Sequence, residues 1–171
     1  MLRLSAAILL LASSMVTSIA QTPAMPPMLS AGIELCFQNG HSNEQYREKL
    51  TQLGAAPVPR EKRRLSQPPN SEDEWSLTVN GTNYLTSFHW AKTFCGVFGP
   101  GDKDAVVAAL KGPSLKFKYD GSGANMQDIY RGMFDGEPAT IMISSVSPGD
   151  VSLVFAIDRM WDVFPGGPKG K

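Results

Sequence analysis

Two dipeptides, Asn80-Gly81 and Asp135-Gly136, constrain the fold more than any other feature, because each stands between stretches rich in alternating apolar and polar residues. Both central positions of a two-residue type I′ turn need positive φ, which Asn, Asp and Gly tolerate, so each dipeptide marks a β-hairpin. Pairing outward from the first matches Val79 with Thr82, Leu77 with Tyr84 and Trp75 with Thr86. A period of two then puts Trp75, Leu77, Val79, Tyr84, Phe88 and Trp90 on one face and Ser76, Thr78, Leu85, Ser87 and His89 on the other. Asn80-Gly81-Thr82 also fits an N-glycosylation sequon, but the turn chemistry accounts for the same residues without a sugar. In the second hairpin, between DIYRGMF and EPATIMISSV, one face receives Tyr130, Phe134, Ala139, Ile141 and Ile143. The other receives Ile129, Arg131, Met133, Thr140 and Met142.

Helical signals precede each hairpin. From Ile33 to Leu53 the pattern is helical with a break near Asn39-Gly40; Ser42 or Asn43 caps a helix whose Tyr46, Leu50 and Leu53 form an apolar stripe, and Gly54 stops it. Asp102 caps KDAVVAALK, which ends at Gly112-Pro113. Short strands are expected near Ala55 to Pro59, from Phe94 to Phe98, over SLKFKY (residues 114–119) and from Val151 to Ile157. The Pro59 to Glu74 segment, with Pro68-Pro69-Asn70 between a basic and an acidic cluster, reads as a long exposed connection. Element order therefore repeats: helices end at Leu50 and Leu110, turns fall at Asn80 and Asp135, and strands centre on Val97 and Val154, separations of 60, 55 and 57 positions. The expected fold is α+β, a tandem repeat of helix plus antiparallel strands with the helices packed on one face of the sheet. Its bounds are residues 31–164, with repeats over 31–99 and 100–160, after a flexible linker at 21–30 and before a flexible tail at 165–171.

The compartment follows from the first twenty residues, MLRLSAAILLLASSMVTSIA. One cationic residue, Arg3, precedes an apolar run, and Ser18-Ile19-Ala20 offers small side chains for cleavage, the pattern of a secretory signal peptide. The run is shorter than the roughly 20 residues of a membrane span, so stable membrane insertion is not expected. A mature chain beginning near Gln21 is expected in the periplasm or secreted. Losing Arg3 from a balance of 16 cationic and 16 acidic residues leaves a formal charge of −1, which gives no reason to expect nucleic acid as a partner. In an oxidising compartment, Cys36 and Cys95 are most simply one disulfide, closing a loop of 59 positions. Two other readings use the same sulfur atoms. Cys36, His41, His89 and Cys95 compose a four-ligand zinc site on paper, and Cys95 beside a His composes a thiol nucleophile. Both need free thiolates, and neither matches a compact ligand spacing or a local nucleophile signature.

With the Asn80-Gly81 and Asp135-Gly136 hairpins as anchors, the element order from Ile33 to Ile157 resembles the tandem helix-plus-sheet repeats of β-lactamase inhibitor proteins and, more loosely, the small outer-membrane assembly lipoproteins. The chain lacks the lipoprotein cysteine. It also resembles short exported alphaproteobacterial proteins of unknown function that carry one Cys at the first helix and another in a middle strand. The first resemblance implies an inhibitor role only by analogy of fold, and fold does not transfer function.

Chemistry is not prominent. The chain carries no G-x-S-x-G elbow, H-E-x-x-H, P-loop or Rossmann glycine pattern, and its two His residues are His41 and His89. No cofactor or metal is expected. The second-hairpin face of Ile129, Arg131, Met133, Thr140 and Met142, extended by His89, sets adaptable apolar side chains beside a guanidinium, a composition suited to recognising a protein or envelope component. The preferred expectation is a non-catalytic, extracytoplasmic interaction protein using that face. The alternative is a small extracytoplasmic hydrolase or zinc enzyme using His89 with His41 or Cys95.

Overall fold

The computed structural model describes residues 24–39, 42–63, 74–89, 94–123 and 126–157. The leader, the Arg64 to Asp73 part of the long connection, Trp90, His41 and the tail lie outside them. Helix α1 (Pro27–Gly32) runs on into a π-helical turn (Ile33–Gln38), followed by α2 (Asn43–Gln52), β1 (Ala56–Pro57), β2 (Glu74–Val79), β3 (Thr82–His89) and β4 (Phe94–Pro100). Then come α3 (Lys103–Lys111), β5 (Lys118–Ser122), β6 (Asp128–Phe134), β7 (Glu137–Ser147) and β8 (Asp150–Ile157). The strands form one sheet in the order β1-β2-β3-β4-β8-β7-β6-β5 with every neighbouring pair antiparallel. The fold is mixed α+β.

Both hairpins have the expected turns. Asn80 and Gly81 take φ of 51° and 78°, Asp135 and Gly136 take 49° and 83°, and the register pairs Val79 with Thr82 and Phe134 with Glu137. Ser42 caps α2 by accepting from the Gln45 amide, and Asp102 caps α3 by accepting from the Asp104 and Ala105 amides, in each case satisfying donors that a helix start leaves open. β5 lies later than expected: positive φ at Lys116 and a register shift between Tyr119 and Gly121 move pairing to Lys118–Ser122, so Asp120 to Ser122 join the strand.

The segment read as a linker is in part a core helix. Met28 and Leu29 are buried in α1, within the stretch expected to be flexible to residue 30. Pro27 sits in the first helical turn, where its missing N–H costs nothing and its fixed φ favours the helix, so proline here starts structure. α1 and the π turn bury Ala31, Ile33, Leu35, Cys36 and Phe37 as well, a helix apolar on nearly all sides.

This helix reaches the sheet at the shortest distances in the core. Gly32 faces the Phe155 ring so closely that an added Cβ would lie 2.1 Å from its Cζ. Phe37 meets Phe155 edge-on at 5.2 Å. α2 lays Tyr46 on Phe88, rings stacked at 5.1 Å, and the Tyr46 hydroxyl shares a hydrogen bond with that of Thr86. Burial pushes the Tyr46 phenol well above the usual tyrosine range, partly offset by that bond, so it is neutral where proteins are handled. α3 buries Val106 and Leu110, and its Lys111 Nζ lies 5.8 Å from the centroid of the Tyr130 ring. These contacts put the three helical segments on the face that carries Thr86, Phe88, Tyr130, Ile141 and Phe155.

Cys36 and Cys95 form the disulfide, joining the π turn to β4. Neither sulfur is then available to bind zinc or act as a nucleophile, which removes both thiolate readings in this state.

Gly32→Ala is expected to force the Phe155 ring aside and cost about 1–3 kcal/mol, seen as a lower Tm in thermal denaturation. Replacing both cysteines by Ser is expected to cost about 4 kcal/mol on the chain-entropy account, measured as a lower urea midpoint.

Candidate functional site

The second-hairpin face has the expected membership but not the expected exposure. Cross-strand register aligns Arg131 with Thr140 and Thr140 with Ala156, and aligns Ile129 with Met142 and Met142 with Val154. Thr140 is nevertheless 0% exposed and Met142 8%, whereas Met133 is 57% exposed. Ile129 and Arg131 are half-buried. Thr140 and Met142 therefore do not belong to an accessible binding face. β7 has a strand on each side, while Met133 sits near the end of β6, where packing thins out. Arg131 is also engaged, its Nε 2.9 Å from Asp120 Oδ2 across the β5–β6 pair.

The same face buries Glu74, read from sequence as part of an exposed acidic run but 0% exposed as the first residue of β2 opposite Ser87. Toward the sheet centre, the Phe98 ring lies over Gly96, where an added Cβ would come within 2.6 Å of it. His89 closes β3 opposite Phe94. His41 lies outside the described residues, so the pairing of His89 with His41 has no geometry to report. Among the described residues, no group of three or more His, Cys, Asp or Glu side chains is arranged to hold a metal ion.

A concave site lies instead where the π turn meets the second hairpin. Phe37 and Gln38 on one side and Phe134, Asp135, Glu137, Pro138 and Ala139 on the other enclose a cleft of about 430 Å³, within the size range of small-ligand sites. Its aromatic pair is Phe37 and Phe134, ring centroids 5.0 Å apart and tilted by 37°. Phe37 is buried and Phe134 half-exposed, so one ring backs the other. Asp135 and Glu137 supply acidic groups, and no Lys or Arg joins them among the described lining residues.

Local structure holds both walls. The Asn39 side chain donates from Nδ2 to the Glu34 carbonyl at 2.6 Å, tying off the end of the π turn, and Lys49 of α2 reaches Glu34 Oε1 at 2.7 Å. The disulfide fixes Cys36, the residue before Phe37. On the opposite wall the type I′ turn sets Asp135 between Phe134 and Glu137. Away from the cleft, Lys103 Nζ bonds Asp128 Oδ2 at 2.8 Å, a contact that holds the ammonium above its usual pKa and ties α3 to β6. Burial, with the Asp128 charge, likewise raises Tyr130.

Sequence reasoning recognised Asp135 as a turn residue and Phe134 as a core-facing one, and missed their meeting with Phe37 and Gln38, about a hundred positions away. The available signal was the apolar helix ending at a break, since an aromatic at such an end needs a neighbour. No protein-family model matches the chain, and neither a curated protein nor a solved structure matches it.

Charge substitution separates the two methionines. Met142→Glu is expected to destabilise by about 3 kcal/mol or more, because a carboxylate is forced into a buried site, while Met133→Glu is expected to change stability by less than about 0.5 kcal/mol. Paired urea denaturation curves check both.

Proposed function

We propose that this chain is an extracytoplasmic binding module that captures its ligand in the cleft between the π turn and the second hairpin. The single observation that carries the reading is the convergence of Phe37 and Phe134 with acidic residues in a concave site. Aromatic walls with a few polar groups supply burial and orientation together, the usual composition of ligand sites. The exposed Met133, beside Phe134, extends the apolar surface past the cleft, and the half-buried Ile129 and Arg131 continue it along β6.

Export is supported by the leader and by a disulfide, which persists outside the reducing cytoplasm. Among the described residues no helix is long and apolar enough to cross a membrane, which is compatible with the same reading. The tandem-repeat origin belongs to the proposal too. β1 to β4 and β5 to β8 each follow a helix, run in succession across the sheet and meet at the antiparallel β4–β8 pair, the order expected of two copies related by a twofold axis. A partner among proteins or envelope components fits this reading.

Intact mass and NMR of the exported protein test it together. The expected mass begins at Gln21 and is two hydrogens light. In a ¹H–¹⁵N titration with a set of small aromatic fragments, binders are expected to shift Phe37, Gln38 and residues 134–139, and Phe134→Ala is expected to weaken them about tenfold or more. Uncleaved protein, or fragments that leave the cleft resonances unmoved, would overturn the reading.

A further inference from the structure

We infer that the cleft selects a cation: a protonated primary amine on an apolar stem. This rests on the binding reading above and adds the chemical class of the ligand. Three features converge on it. First, the Phe134 face backed by Phe37 presents the negative side of the aromatic quadrupole, which attracts an ammonium group over the ring. Second, Asp135 and Glu137 lie two positions apart around one turn and place two acidic residues in the lining. A carboxylate bonds an ammonium more strongly than a neutral donor. Third, the described lining contains no Lys or Arg to compete for those acids from within the cleft.

The walls also set the size of the stem. A cleft of about 430 Å³ takes one ring or a short alkyl chain and leaves the charged head near the acidic rim. Gln38 at the opposite lip adds an amide, whose oxygen accepts from an ammonium and whose nitrogen donates to a neighbouring acceptor. An anion meets repulsion at the same place, and a neutral molecule of the same shape gains the ring contacts alone. The π-helical turn that ends at Gln38 is a second mark of a site, since such turns cluster at functional positions.

The same head group reaches the cleft on a free small amine or on a lysine side chain of a partner peptide, so the experiment carries both. Full-length exported protein is titrated by NMR with 2-phenylethylamine, with its neutral analogue 2-phenylethanol, with 1,4-diaminobutane, and with an alanine-rich peptide bearing one lysine or one Nε-acetyl-lysine. At least one amine-bearing probe is expected to shift Phe37 and residues 134–139, with 2-phenylethylamine at least about tenfold tighter than the alcohol. Raising salt is expected to narrow that gap. A tighter free amine assigns a small-molecule source; tighter lysine peptide with loss on acetylation assigns a protein source.

Asp135→Asn with Glu137→Gln keeps the side-chain shapes, and Asn suits the positive φ at position 135. This double variant is expected to lose the amine preference, with an unchanged spectrum elsewhere showing that the fold is intact. Phe134→Leu is expected to weaken amine and alcohol alike. If the alcohol binds the cleft as well as the amine, cation selection is overturned while the binding reading stands. If no probe moves the cleft resonances, cation selection and the binding reading both fail.

Discussion

The covalent tie between Cys36 and Cys95 is the constraint on which the rest of this structure depends. It joins the last turn of a helix buried on nearly all sides to β4, one of the two central strands, and so decides how that helix lies across the sheet. With Cys36 held, Gly32 on the preceding turn meets Phe155, and Phe37 on the next residue meets Phe155 edge-on and Phe134 at the rim. A helix apolar all round has no polar face to set its rotation, so hydrophobic burial alone admits several orientations. The cross-link, with close approach at Gly32, selects one. It also shortens the unfolded ensemble by closing a long loop, which stabilises every element inside it.

The two faces of the sheet then divide the work. On the helical face, Phe88, Ile141, Leu153 and Phe155 form a continuous core with Tyr46, Leu50, Val106 and Leu110. Tyr46 is the polar exception, and its hydroxyl is satisfied by Thr86, as a buried hydroxyl must be if it is not to cost stability. On the second face, Glu74, Thr140 and Ser152 are buried beside Met142 and Ala156, so this side is an interior as well. Accessible surface with chemical character is left at the ends of strands, and the cleft lies at such an end. Rigid strands and a pinned helix hold its walls, which lowers the ordering cost of binding.

Hairpins, caps and the cysteine pair were legible because each is local or has few alternatives. Asn80-Gly81 and Asp135-Gly136 demand positive φ; Ser42 and Asp102 stand directly before helical stripes; two cysteines in an exported chain have one pairing. The faces were legible too, since strict alternation put Thr140 and Met142 opposite Ile141 and Ile143. Their exposure was not, because alternation says which side a residue takes and nothing about what lies above that side. Proline misled near the start, where Pro27 begins a core helix in place of ending a linker. Glu74 misled for the converse reason: its acidic neighbours signalled solvent, while its place as first residue of β2 buried it.

What local chemistry settled, then, is the list of parts: two I′ hairpins, capped helices, one cross-link and an α+β class with antiparallel strands. Each depends on backbone preference or spacing within a few residues, and those act before the chain has any tertiary form. Tertiary structure alone decided that β4 pairs with β8, that Thr140 and Met142 are interior, and that Phe37 and Gln38 face Phe134 and Asp135 across a cleft. Those outcomes join residues tens of positions apart. They are set by which packing excludes the most water around a helix with no preferred face, a property of the whole chain at once.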